Sequence, residues 1–258
     1  MKRFAAFYLP LLTLGVLTLA WDQVVVRSGT DIFPRPVDVL RGVAELCSRG
    51  LLLKYVVASL FRVSIGFTLA VLVGVPTGLM LGWFRPAFLA FNPLIQILRP
   101  ISPIAWIPIA ILWFHVDDRA PIFLIFLASV FPIVVSATAA VQNIQPVYVR
   151  AARNFGLRGV DLFRRVIFPA CLPQILTGLR IALGIAWLVV VAAEMIAVNS
   201  GLGYLIIDAR NAGKRYDLVV AGMILIGLIG LGLDLMIRRL ETFDEVRWGY
   251  QQKGGQIE

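Results

Sequence analysis

Six stretches of this chain, residues 4–21, 53–83, 88–114, 121–141, 172–198 and 219–237, are apolar over lengths that reach or approach a bilayer crossing. A hydrocarbon core about 30 Å thick takes about 20 apolar residues in an α-helix. No water satisfies backbone N–H and C=O groups there, so a long uninterrupted apolar run must satisfy them within itself, as a helix. The pattern predicts an all-α, polytopic membrane protein with about six transmembrane helices. Composition agrees, with hydrophobic residues at 59%, charged residues at 15% and a mean hydropathy of +0.86. Soluble globular chains have roughly half apolar and a quarter charged residues. The net charge of +9 would suggest nucleic acid in a soluble protein. Here the basic residues flank apolar runs, where an anionic leaflet attracts them, and no nucleic-acid partner is expected.

The chain divides into an N-terminal anchor helix with an external segment (1–52), a transmembrane domain (53–240) holding a polar loop (143–170), and a polar tail (241–258). The first apolar run exceeds the roughly 7–15 residues of a signal-peptide core and is followed by no A-x-A-like site, so a retained helix is expected. Lys2, Arg3, Arg85, the arginines of 150–165, Arg238 and Arg239 fall on one side of a six-helix topology. Basic residues in short loops mark the cytoplasmic side, which makes both termini cytoplasmic. Arg27, Arg35, Arg41 and Arg49 of the external segment count against that orientation, although Asp22, Asp31, Asp38 and Glu45 nearly balance their charge. Residues 37–46 read as an amphipathic helix on the outer surface, and 201–215 as an external turn and short helix with Asp208, Arg210, Lys214 and Arg215. Pro76 predicts a bend. Pro100, Pro103 and Pro108 predict a kinked helix, either a packing element or a lining of a path, because each removes a backbone donor. Cys47 and Cys171 fall on opposite sides and should not pair, and His115 with Asp117 and Asp118 reads as a solvated loop rather than a metal site.

Between two apolar runs lies RAARNFGLRGVDLFRRVIFP, residues 150–169, a basic island that a hydrophobic chain keeps for a soluble partner. Its pattern predicts a short helix opened by Ala151 and Ala152, a break at Gly156, a second basic turn with Arg164 and Arg165, and a stop at Pro169. The island resembles the cytoplasmic coupling loop of an ABC-transporter permease. In that family's EAA motif, Glu-Ala-Ala is followed after three residues by Gly and later by Ile-x-Leu-Pro. Ala151, Ala152, Gly156 and Pro169 match; Val166 and Phe168 are apolar equivalents, and Arg150 replaces the Glu. The segments SLFRVSIGF, ILRPISPIAWIPIAILWF, LTGLRIALGIAWLVVVAAEM and SGLGYLIIDARN extend the likeness to the permeases for nitrate, sulfonates, taurine and bicarbonate. The resemblance implies a type I importer permease with a MetI-like core in a bacterial inner membrane. It further implies a homodimer, two ABC ATPase subunits and an external solute-binding protein that delivers a small oxyanion. ATP and Mg2+ would belong to the ATPases, since this chain has no G-x-x-x-x-G-K-[ST] loop and is expected to bind no cofactor or metal itself. Coupling would fall to Arg150, Ala151, Ala152, Arg153, Gly156, Arg158 and Pro169, with the arginines either pairing with partner carboxylates or serving topology alone.

Charges inside a membrane are costly and mark candidate functional positions. Arg62, Arg180 and Glu194 are such charges. Arg180, Gly184, Trp187, Val191 and Glu194 share one helical face, with the two charges about 21 Å apart along the axis. Arg62 or Arg180 could offer a guanidinium fork to an oxyanion, Arg180 could instead snorkel to the interface, and Glu194 is expected to pair with Arg62 or a loop arginine as a gate or clamp. Trp106 and Trp187 read as path-narrowing rings or interfacial anchors, with Arg99 and Gln96 as further path candidates. An intramembrane enzyme would need a nucleophile and base at membrane depth, and the lone His115 sits in a loop. A stand-alone channel or secondary transporter would have no need of the 150–169 loop.

Overall fold

The computed structural model describes residues 2–29 and 33–240, and every regular element among them is helical. In chain order these are α1 (Lys2–Ser28), α2 (Pro36–Ser48), α3 (Leu51–Trp83), α4 (Arg85–Leu98), α5 (Ile107–Phe114), α6 (Arg119–Gln142), α7 (Pro146–Asn154), α8 (Gly159–Leu162), α9 (Phe168–Ala197), α10 (Leu202–Gly213) and α11 (Tyr216–Leu240). Five are long and apolar enough to cross a membrane, namely α1, α3, α6, the α8–α9 run and α11. The tail 241–258 lies outside the described residues.

The third apolar stretch departs from the expected kinked helix. It is two helices, α4 and then a 3-10 turn (Pro103–Trp106) leading into α5, bent by 83° at the break. Pro103 and Pro108 stand in the first turns of the new elements, where the missing N–H would have had no helical partner. They start helices rather than kink one. Pro76, by contrast, leaves the 33-residue α3 uninterrupted.

Three helices, α3, α6 and α9, form the centre of the bundle. Gly66, Gly74, Gly78 and Gly82 of α3 face Ile125, Ile133, Ala137 and Val141 of α6 in a constant register, so the two helices run parallel. A Cβ at Gly78 would lie 2.6 Å from both Ala137 Cβ and the Val134 carbonyl oxygen. Without a strong hydrophobic drive between helices in lipid, such close backbone approach supplies the packing. Thr138 Oγ1 donates to the Gly78 carbonyl at 3.1 Å across the same seam. On the other face of α6, Ser136 sits against Gly178 of α9 and donates to the Gln174 carbonyl at 3.2 Å.

The periphery is tied by charge. Arg215 bridges Glu45 of α2 at 2.6 Å and Asp217 at 2.7 Å. That hydrogen bond holds the Glu45 carboxyl below the usual carboxylate range, so the α2–α11 tie persists above the ordinary glutamate value and loosens as pH falls through the lowered one. α1 meets the rest chiefly near α2, through Trp21 edge-on to Phe33 and Asp22 paired to Arg35 at 2.9 Å.

Candidate functional site

The expected pairing partner of Glu194 is Arg62. Their salt bridge is 2.6 Å long, with Arg62 at 1% and Glu194 at 0% exposure. α3 supplies Arg62 and, one turn earlier, Ser59, whose hydroxyl donates to Glu194 Oε2 at 2.8 Å and accepts from the Leu202 N–H at 2.9 Å. The Gly203 N–H adds a 3.0 Å bond to the same carboxylate oxygen. Arg62 also donates through Nε and Nη2 to Asp118 Oδ1 at 2.9 and 2.6 Å, through Nη1 to the Ser200 carbonyl at 2.8 Å, and through Nη2 to the Ser200 hydroxyl. The first turn of α10, the α5–α6 turn, α3 and α9 therefore meet at one point.

Two glycines make room for it. A Cβ at Gly201, whose φ is +103°, would stand 2.3 Å from Glu194 Cδ, and one at Gly203 would stand 2.2 Å from the Val191 carbonyl oxygen. Every guanidinium nitrogen of Arg62 is engaged, so the arginine does not offer the fork that an oxyanion would need. Asp118 corrects the expectation of a merely solvated loop around His115, since its half-exposed carboxylate holds the Arg62 guanidinium. Ser59 and Ser200 carried no charge to draw notice. The one available signal was the i,i+3 spacing of Ser59 and Arg62 in an apolar helix.

Arg180 is paired as well, with Asp234 of α11. Nε and Nη2 donate to the two carboxylate oxygens at 2.6 and 3.1 Å. The shared face of Arg180, Trp187 and Glu194 thus meets other helices. Trp187 is buried and donates Nε1–H to the Ile226 carbonyl at 3.0 Å, with Gly230 directly opposite its ring. It ties α9 to α11. A cleft of about 390 Å³ runs along this seam between Arg180, Gly184, Leu188 and Asp234. Replacing Arg180 or Asp234 singly by alanine should lower the melting temperature of the purified protein. The double replacement should cost less than the sum of the two single losses; strict additivity in thermal melts would contradict the tie.

The 150–169 island folds differently from its sequence pattern. α7 opens at Pro146, not at Ala151, and Ala152 is the residue it buries. Gly156, at φ +82°, ends α7 as expected. Pro169 is no stop: it occupies the first turn of α9, directly after a π-helical turn, Phe163–Ile167. A proline ring crowds the carbonyl four residues back, and the wide turn falls where that carbonyl, of Arg165, would otherwise lie. Arg150, Ala151, Arg153, Arg158, Arg164 and Arg165 are exposed, while Ala152, Leu162 and Ile167 pack inward with Leu79, Ala137 and Val141.

Of the remaining candidates, Arg99 is exposed at the α4–α5 break, Gln96 is exposed on α4, and Trp106 is half-buried in the 3-10 turn. Cys47 and Cys171 are unpaired, and no group of metal-ligating side chains occurs among the described residues.

Residues 74–243 match the family described as binding-protein-dependent transport system inner membrane component. The chain is 39% identical to a probable ABC transporter permease of Brucella abortus, over 94% of this chain and 98% of the relative. It is 35% identical to the nitrate import permease of Synechocystis, over 90% of this chain and 87% of that one. Identity is also 35% to the Escherichia coli taurine transport system permease, with 89% and 86% covered. A solved structure of the MetNI methionine ABC transporter shares the fold, at a TM-score of 0.60 and 19% identity over 73% of this chain and 95% of its own. The chain belongs to the inner membrane components of binding-protein-dependent transport systems, as an ABC transporter permease.

Proposed function

We propose that this chain is the membrane-spanning subunit of an ATP-driven importer for a small oxyanion of the nitrate or sulfonate class. It works as a homodimer, receives its anion from an external binding protein and is powered by two ATPase subunits docked on the α7–α8 loop. That loop and both termini face the cytoplasm, and the Arg62–Glu194 cluster lies toward the opposite, receiving side. The observation that carries this reading is the identity of 35% over most of the chain to permeases named for nitrate and for taurine.

With Arg62 saturated, the anion is handled elsewhere. A hollow of about 170 Å³ between α4 and α6 is lined by Asn92, Gln96 and Gln142 among apolar side chains such as Phe88, Ile95 and Val134, and the Thr138 hydroxyl beside them already donates to the Gly78 carbonyl. Neutral amide donors suit an anion that must be released again, and Arg99 at the α4–α5 break adds positive charge on its route.

The test is ATP-dependent uptake in vesicles holding the permease, its ATPase and its binding protein. Nitrate or a sulfonate should be taken up, and Arg158→Glu should lower stimulated ATP hydrolysis several-fold while membrane insertion is unchanged. Transport of a neutral or cationic solute instead would overturn the substrate class. Failure of any ATPase to co-purify would overturn the coupling.

A further inference from the structure

At 87% exposure, Phe155 is the most exposed large apolar side chain among the described residues. Helix length puts it outside the hydrocarbon. The α8–α9 run spans 39 residues, about 58 Å of helix against a core of about 30 Å. The surplus falls at the end marked by Arg158, Asp161, Arg164 and Arg165. A single exposed apolar side chain needs no explanation, but Phe155 shares this short polar region with the exposed Val147 and Val160, and exposed apolar surface gathered in one region marks an interaction site. Inward positions exist here and are taken by Ala152, Leu162 and Ile167.

The backbone that carries the ring is held in place. The Phe155 N–H bonds to the Ala151 carbonyl at 3.1 Å, Gly156 to Arg153 at 3.0 Å and Leu157 to Ala152 at 3.0 Å. These bonds close the end of α7 with Gly156 in the left-handed region, so little backbone entropy is left to lose on docking. Around the ring, residues 143–160 hold Arg150, Arg153 and Arg158 and no acidic residue. An aromatic side chain on a fixed backbone, with exposed arginines beside it, has the composition of an interface hot spot, and its complement is an apolar pocket edged with carboxylates.

We propose that Phe155 is the anchor by which this permease holds its ATPase subunit, seated in an apolar pocket of that subunit whose rim carboxylates pair with Arg153 and Arg158. The ring sets the lifetime of the complex and the arginines set its rate of formation. This rests on the coupling role assigned above to the α7–α8 loop.

Binding of the ATPase subunit to the permease in lipid nanodiscs, at low and at about 0.5 M salt, tests it. Phe155→Ala should weaken binding roughly thirtyfold at both salt levels, through faster dissociation. Phe155→Leu should retain most of the affinity, and Arg153→Gln with Arg158→Gln should slow association and flatten the salt dependence. An unchanged melting temperature for Phe155→Ala shows that the fold is intact. If the wild type binds and Phe155→Ala binds within about twofold of it, the anchor is wrong while the coupling role stands. If the wild type binds no ATPase, the coupling role itself fails. A dye on Phe155→Cys, in a Cys47→Ser and Cys171→Ala background, should escape quenching by brominated lipid; strong quenching means that the ring sits in the membrane surface, and it overturns the proposal.

Discussion

Glu194→Ala is expected to be the most damaging single polar substitution in this chain, because it removes the buried carboxylate facing Arg62, at 1% exposure, and leaves that guanidinium only the half-exposed Asp118 as counter-charge. Removing one partner of a buried ion pair costs about 3–5 kcal/mol, against a total stability of about 5–15 kcal/mol for a typical domain. The Gly203 N–H and the Ser59 hydroxyl lose their acceptor at the same time. The variant should melt far below the wild type or fail to stay monodisperse in detergent. Glu194→Gln keeps an acceptor for Ser59 and Gly203 but loses the charge facing Arg62, so it should fall between. A local signature separates this cluster from general fragility: amide hydrogen exchange across 200–213 should accelerate more than exchange in α6, because α10 loses its seat. If Glu194→Ala melts within a degree or two of the wild type, or exchange rises evenly, the cluster does not hold α10.

The helices and the charged pair were legible before the structure because the physics behind both is local. Apolar length gives a span, and an intramembrane charge demands a partner, so Glu194 and Arg62 could be matched across 132 residues. Asp118 could not be matched. In sequence it is one of two adjacent acids after a histidine, which reads as a solvated turn, and only the fold brings that turn against Arg62 of α3. Asp234, the acid inside the last apolar stretch, was missed among the intramembrane charges, and its pairing with Arg180 required the register of α9 against α11. The Trp187 bond could not be read in advance because its partner is the Ile226 carbonyl, and a backbone acceptor leaves no mark in sequence. The prolines misled for a related reason: a proline inside a helix and one in a first turn look alike until the element boundary is known.

The second large effect is expected at the α3–α6 seam. Gly78→Ala places a Cβ 2.6 Å from Ala137 Cβ and 2.6 Å from the Val134 carbonyl oxygen, distances that real methyl groups do not adopt, so the helices must separate. Overpacking of this kind costs about 1–3 kcal/mol, and the seam runs the length of two central helices. Gly227→Ala on α11, where nothing lies within 4 Å, should be neutral or slightly stabilising, since alanine is the better helix former. Trimming the partner distinguishes side-chain from backbone conflict. At Gly74 the first obstacles are Ile133 Cγ2 at 2.8 Å and Cβ at 3.0 Å, with the Val130 carbonyl oxygen at 3.3 Å. Ile133→Ala should therefore relieve much of the damage of Gly74→Ala. Ala137→Gly removes only one of the two contacts at Gly78, because the Val134 oxygen is backbone and cannot be trimmed, so most of the loss there should remain. Equal rescue at both sites in melting experiments would mean that α3 and α6 slide apart freely, and that the glycine register does not set their spacing.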